Sequence, residues 1–313
     1  MGKMAFMFSG QGAQAVGMGK ELAENFACAD AVFEQASDAL GMDVKKLIWE
    51  SDEETLMITE NTQPAILTMS VAALRVLEEK GIKPDVVAGL SLGEYAAHVA
   101  SGSLDFKEAV KLVKKRGKYM QETVPLGVGG MAAILALSPE EVVTCCKEAS
   151  AAGIVEPANF NCPGQITVAG EIAAVEKCCE IAKEKGAKRA MLLPVSAPFH
   201  CSMLIEAGEK LAREMENITV SDMQIPLITN VTGDYLRAKE EIKPTLVKQV
   251  SSSVRWEEGV RRMIADGVDT FVEVGPGKTL CGFMKKIDKE KKAYNVEDMA
   301  SLEKTLAGLA ENA

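Results

Sequence analysis

Asp85-Val86-Val87-Ala88-Gly89-Leu90-Ser91-Leu92-Gly93-Glu94-Tyr95 is the stretch on which the reading of this chain turns. Asp85–Leu90 predicts a buried strand and Ser91–Ser101 a helix. Gly-x-Ser-x-Gly sits at the junction, the context in which that pattern makes a nucleophile elbow. The turn is too tight for a Cβ at its flanks, so both flanking positions must be small. It also puts the serine at a helix N-terminus, where free N–H groups and the helix dipole favour negative charge. A plain N-capping serine is the competing reading of Ser91.

Working outward, strand-like and helix-like segments alternate along the chain, which predicts an α/β protein with a parallel sheet. Met4–Phe8 reads as a buried strand followed by the glycine-rich loop Ser9-Gly10-Gln11-Gly12-Ala13-Gln14. Helices are expected over Thr62–Glu79 and Asp105–Glu122, and Pro125-Leu126-Gly127-Val128-Gly129-Gly130 then breaks the pattern. Between Gly130 and Val195 the order is β-α-β-β-α-β, the ferredoxin-like split unit. The strands are Gly130–Leu137, Ile154–Ala158, Gln165–Ala169 and Arg189–Val195, and the helices Pro139–Ala151 and Ala173–Lys185. Residues 127–197 therefore read as an insertion into a discontinuous larger domain, 1–126 and 198–313. After Pro198 the alternation resumes with Ser202–Glu216, a strand Gln224–Thr229, helices near Pro244–Val250 and Trp256–Asp266, and a strand Thr270–Val274. Gly275-Pro276-Gly277 then leads into a last helix.

Composition narrows the function classes. The 313 residues are 47% hydrophobic and 26% charged, ordinary for a folded globular chain. Lys plus Arg is 35 against 45 for Asp plus Glu, a net charge of −10, so nucleic-acid binding is not expected. The longest unbroken apolar run, Met131–Leu137, is far short of the ~20 residues that span a bilayer. The N-terminal run Met4–Phe8 is too short for a signal-peptide core. Eight cysteines without a Cys-x-x-Cys spacing, and only two histidines, predict reduced thiols in a cytoplasmic protein without a metal site.

A serine nucleophile needs a base, and only His98 and His200 are available. His98 lies seven residues along the elbow's own helix, ~10 Å down the axis at ~1.5 Å per residue, and cannot reach Ser91. Elimination leaves His200, which follows the rigid turn Ala197-Pro198-Phe199. An acid or a backbone carbonyl could orient its ring. Arg116 falls on the inward stripe Phe106, Ala109, Val113, Met120, whereas Lys111, Lys114, Lys115 and Lys118 mostly point elsewhere. An inward arginine is either a structural salt bridge or a bidentate clamp on a substrate carboxylate. Gly10-Gln11-Gly12 lacks the rest of a nucleotide loop, and Gly275-Pro276-Gly277 reads as a tight turn.

Together these segments resemble a family. Phe8-Ser9-Gly10-Gln11-Gly12-Ala13-Gln14, Gly89-Leu90-Ser91-Leu92-Gly93-Glu94-Tyr95, Arg116, Asn159-Phe160-Asn161-Cys162-Pro163-Gly164-Gln165, Ala197-Pro198-Phe199-His200 and Gly275-Pro276-Gly277 occur in this order over nearly the whole chain. They are similar to malonyl-CoA:acyl carrier protein transacylases, the loading enzymes of bacterial fatty-acid synthesis. The resemblance implies an α/β-hydrolase-like core with a ferredoxin-like insertion. Ser91 would be acylated by malonyl-CoA and then attacked by the phosphopantetheine thiol of acyl carrier protein, with His200 as general acid and base.

The same resemblance implies that Arg116 clamps the malonyl carboxylate and that the N–H groups of Gln11 and Leu92 form the oxyanion hole. Gln249 would orient His200 through its main-chain carbonyl, and the bulk of Phe199 would disfavour an α-branched acyl group. Leu90 departs from the histidine the family often has before the serine. No cofactor is expected beyond the two substrates, and a monomer is expected. Acyl carrier proteins are acidic, so either the cluster Lys285, Lys286, Lys289, Lys291, Lys292 or Lys111–Lys118 could dock one. The competing functions are a hydrolase using the same Ser91 and His200, and a non-catalytic carrier-binding module.

Overall fold

The computed structural model describes residues 2–195 and 197–311. Its strands are β1 (Lys3–Phe8), β2 (Val86–Gly89), β3 (Gly129–Leu135), β4 (Val155–Cys162), β5 (Gln165–Glu171), β6 (Arg189–Leu192), β7 (Leu227–Ile228), β8 (Val268–Val274) and β9 (Lys292–Val296). Five of them form one sheet in the order β7-β2-β1-β8-β9, every pairing parallel. The central strand β1 is apolar on both faces, as a parallel strand covered on both sides must be. Phe6 and Phe8 belong to the hydrophobic core that also holds the apolar faces of the helices Thr59–Glu79 and Phe106–Thr123. Ala5 and Met7 face the opposite layer, which holds the helices Trp256–Ala265 and Thr279–Ile287.

The remaining strands form a second sheet, ordered β4-β5-β3-β6 and antiparallel throughout, as expected of a β-α-β-β-α-β unit. Its two helices are Pro139–Ala149, begun by a capping box between Ser138 and Glu141, and Ile172–Glu184. The two-residue period of a strand gives this sheet two different faces. Ala132, Ile134, Ile166 and Val168 pack under the two helices in a separate core. Met131, Ala133, Gln165 and Thr167 point the other way, into the cleft described below. Strand β4 is tied to the larger body at two places that matter for the site. Val254 N–H donates to Ala158 O at 2.8 Å and Phe160 N–H to Val254 O at 2.9 Å, just after Gln249. The N–H and hydroxyl of Ser202 both donate to the Glu156 carboxylate at 2.7 Å, just after His200.

Several expectations are corrected in detail. The strand expected over Gln224–Thr229 pairs only at Leu227–Ile228. Pro226 has no N–H to give a ladder, and the Gln224 N–H is taken by Ser101 O. The helix expected from Ser91 starts at Gly93, because Ser91 itself has a positive φ. Four helices between Lys20 and Met57, strand β9 and the helix Met299–Ala310 went unread in the sequence. Among the described residues no helix is long and apolar enough to cross a membrane.

Candidate active site

The elbow is built as the glycine pattern requires. A Cβ on Gly89 would fall 1.9 Å from the carbonyl carbon of Gly93, and one on Gly93 would fall 2.1 Å from Phe8 O. Both obstacles are backbone, so neither can yield. Ser91 sits between them at φ 53°, and His200 at φ 64°. Ala136 is the only other non-glycine residue with positive φ among the described residues. Two of three such conformations therefore meet at one point, and strain of this kind persists only where surrounding bonds enforce it. Here Asn230 supplies them: its Oδ1 accepts the Ser91 N–H at 2.6 Å and its Nδ2 donates to Gly89 O at 2.7 Å.

His200 Nε2 lies 2.6 Å from Ser91 Oγ, and His200 Nδ1 lies 2.8 Å from the carbonyl oxygen of Gln249. A carbonyl can only accept, so Nδ1 carries the proton and Nε2 presents its lone pair to the serine hydroxyl. Burial, aided by the positive charge of Arg116, pulls the imidazole down to about 3. The ring is thus a neutral base at neutral pH. The other histidine, His98, is fully buried, with Nδ1 2.8 Å from Ser103 Oγ; burial pulls it also to about 3, and it does not line the cleft.

Arg116 is buried beside this pair. Its Nη1 donates to Gln63 Oε1 at 2.9 Å, and its Nη2 to Gln249 Oε1 at 3.0 Å and to Ser91 Oγ at 3.4 Å. The guanidinium carbon stands 5.5 Å from the Tyr95 ring centroid. Gly117 makes this approach possible, since a Cβ there would lie 2.5 Å from Thr59 O on the neighbouring helix. None of these contacts is a carboxylate, so the structural salt bridge considered for Arg116 is not formed among the described residues. Burial lowers the affinity of Arg116 for its proton.

Ser91, Arg116, His200, Phe199 and Gln11 all line a cleft of about 790 Å³, whose far wall is the outward face of the second sheet. The N–H groups of Gln11 and Leu92 have no acceptor among the described residues. Gln11 itself is held by a bond from its Nε2 to Thr59 Oγ1 at 3.3 Å. Leu90 is half-buried at the cleft wall. On the helix of Arg116, each of Lys111, Lys114, Lys115 and Lys118 is paired with a glutamate. By contrast the exposed Lys286 meets, among the described residues, only a neutral group, Gln165 Oε1 at 2.9 Å, and its helix also lends Thr279 and Phe283 to the cleft.

Four residues at the site had drawn no role from the sequence: Gln63, Glu94, Thr229 and Asn230. Glu94 is wholly buried, and burial raises its carboxyl to about 7 against the pull of Thr229, Asn230, Gln249 and Arg116. The one sequence signal was weak: a lone carboxylate at the start of a short helix, Gly93–Ala100, whose other residues are apolar apart from Tyr95 and His98. Its partners were out of reach of any local pattern, because Asn230 lies 136 positions away.

The acyl transferase domain family matches residues 5–310. A malonyl CoA-acyl carrier protein transacylase of Bacillus subtilis is 46% identical over 312 residues, 99% of this chain and 98% of the relative. The chain belongs to the acyl transferase family. Among solved structures, the malonyl CoA-acyl carrier protein transacylase of Clostridium perfringens superposes with a TM-score of 0.96 at 49% identity, covering 99% of this chain and 98% of that one. A malonyl-transacylase in complex with a type II PKS acyl-carrier protein superposes with a TM-score of 0.95 at 44% identity, covering 98% and 99%. In this acyltransferase the serine, the histidine and the arginine therefore stand together within a fold shared over nearly its full length.

Proposed function

We propose that this acyltransferase moves the malonyl group from malonyl-CoA to the phosphopantetheine thiol of acyl carrier protein through a malonyl-serine intermediate. The observation that carries the reading is a single atom, Ser91 Oγ, which lies 2.6 Å from His200 Nε2 and 3.4 Å from Arg116 Nη2. A nucleophile with its base on one side and a cation on the other suits an acyl group that ends in a carboxylate. In the first half-reaction Oγ attacks the thioester carbonyl carbon as its proton passes to Nε2. The N–H groups of Gln11 and Leu92 stabilise the oxyanion. The C–S bond then breaks, and the departing CoA sulfur takes the proton from His200. In the second half the carrier thiol gives its proton to Nε2 and attacks the serine ester, and Ser91 leaves with that proton.

Arg116 gives one N–H each to Gln63 and Gln249 and holds Ser91 only at 3.4 Å, and its Nε has no hydrogen-bond partner among the described residues, so donors remain for the malonyl carboxylate once Ser91 is acylated. Phe199 beside His200 narrows the space at the acyl α-carbon and favours an unbranched one. Gln249 holds the imidazole in the tautomer the reaction needs. No cofactor enters, because a thioester is exchanged for an ester and back without redox change. The lysines of the helix Thr279–Ile287, which meet no carboxylate among the described residues, are the favoured docking face for an acidic carrier, since those around Arg116 are already neutralised.

The larger sheet fits an α/β-hydrolase-like core over residues 1–126 and 198–313, and the strand order and separate core of 127–197 support a ferredoxin-like insertion. A monomer in the cytoplasm, supplying extender units for fatty-acid synthesis, completes the reading. The test is to supply malonyl-CoA with and without phosphopantetheinylated carrier protein and to follow both free CoA and malonyl-carrier. Carrier-dependent turnover with malonyl-carrier as product is expected. Steady release of free malonate at the same rate without carrier would favour the hydrolase.

A further inference from the structure

A buried arginine with no carboxylate against it among the described residues needs a counter-charge, and the structure holds one a single residue away. Gln249 Oε1 accepts from Arg116 Nη2 at 3.0 Å, while its Nε2 donates to Glu94 Oε2 at 2.7 Å and to Ser91 O at 2.9 Å. Glu94 Oε2 also accepts the Asn230 N–H at 3.0 Å, and Oε1 accepts the Thr229 hydroxyl at 2.6 Å. Every hydrogen-bond partner of the carboxylate among the described residues is therefore acting as a donor. A carboxamide can turn end for end, but here it is caught between a guanidinium that only donates and a carboxylate that only accepts. That pair dictates which end of Gln249 meets Arg116.

We propose that Glu94 is a positioning residue for the carboxylate clamp: through the Gln249 carboxamide it holds Arg116 in the orientation that takes the malonyl carboxylate, and so sets selectivity for carboxylate-bearing acyl groups. The arrangement supplies the arginine with a counter-charge without occupying the N–H groups that the substrate needs. A carboxylate placed directly on Arg116 would compete with malonyl for the same donors. The backbone carbonyl of Gln249 meanwhile holds His200, and a turn of the carboxamide leaves that contact in place, so the clamp can change without the base. This deepens the malonyl-transfer reading and rests on it. Failure of that reading would show as absent malonyl turnover in the wild type, whereas failure of the inference shows only in the ratio of two acyl groups.

Glu94→Gln keeps the shape but ends the acceptor-only character, because the new amide can offer either end to Gln249. With malonyl-CoA, kcat/KM should fall about ten-fold, mostly through KM, while acetyl-CoA stays within about two-fold. A merely structural Glu94 would lower Tm and leave the malonyl-to-acetyl ratio unchanged; that result overturns the inference. Should the variant not fold, the wild-type enzyme carries the same test. Protonated Glu94 is no longer acceptor-only, so the ratio should fall as pH drops from 8 through about 7. Thr229, Asn230, Gln249, Arg116 and Tyr95 face the carboxylate, and His200 acts on both substrates and cancels in the ratio. A ratio that stays flat from pH 8 to 5.5 contradicts the inference.

Discussion

Replacing Arg116 with alanine separates a substrate clamp from a strut. Its Nε has no hydrogen-bond partner among the described residues, its Nη2 holds Ser91 only at 3.4 Å, and the side chain is buried at the wall of the cleft, so a carboxylate can take two of its N–H groups. Hydrogen bonds to charged groups contribute ~1.5–3 kcal/mol each, so two lost together amount to about 3–6 kcal/mol. At ~1.4 kcal/mol per decade that is a fall of roughly 10²–10⁴ in kcat/KM for malonyl-CoA. Water entering the vacated space will solvate part of the carboxylate, which places the expected value near the lower bound. Acetyl-CoA has no carboxylate to lose and should fall far less. The substitution also strips a donor from both Gln63 and Gln249, a loss common to both substrates, so the ratio of the two kcat/KM values isolates the clamp. Arg116→Lys should recover little, because a point charge cannot reach Gln63, Gln249 and a planar carboxylate at once. The assay is steady-state kinetics with both thioesters alongside a melting curve. A lower Tm with an unchanged malonyl-to-acetyl ratio would refute the clamp.

Other outcomes follow from the same geometry. His200→Ala should slow acylation by ~10²–10⁴-fold, whereas His98→Ala should lower Tm and leave the rate of the remaining folded enzyme nearly intact; stopped-flow acylation of both variants checks this, and equal losses would contradict it. Lys286→Glu should raise KM for carrier protein while leaving serine acylation by malonyl-CoA unchanged, and an unaltered carrier KM would move the docking face elsewhere. Stability should depend on acid through the two buried histidines. Both are held near 3 when folded against 6.5 when exposed, so the unfolded chain binds more protons between those values. Their contribution is complete above about 6.5 and is lost as pH falls towards 3. Melting curves across that range should show the decline, and His98→Gln should make it shallower.

The sequence made legible what local physics dictates. Gly89 and Gly93 announced the elbow because backbone lies within 2.1 Å of where their side chains would begin. The order of elements between Gly130 and Val195 announced the second sheet, since each strand there is long enough to carry its own pattern. His200 could be found by elimination, there being only two histidines. What stayed hidden depends on contacts made far along the chain. Asn230 staples the elbow from a loop whose strand shows only two paired residues. Glu94 reads as an ordinary helix-start acid until its burial is seen, and Gln63 as one more polar residue on a long helix. Strand β9 escaped because it is an edge strand with a single fully buried side chain, Val296, and no apolar alternation to betray it.

The most direct measurement is the mass of the intact protein after brief exposure to malonyl-CoA without carrier, followed by peptide mapping. Wild-type enzyme should gain one malonyl group, located on Ser91, and lose it when phosphopantetheinylated carrier protein is added. Ser91→Ala should melt like the wild type and gain nothing. An adduct of the same mass forming at the wild-type rate in Ser91→Ala, or an adduct that carrier protein cannot remove, would contradict a malonyl-serine intermediate.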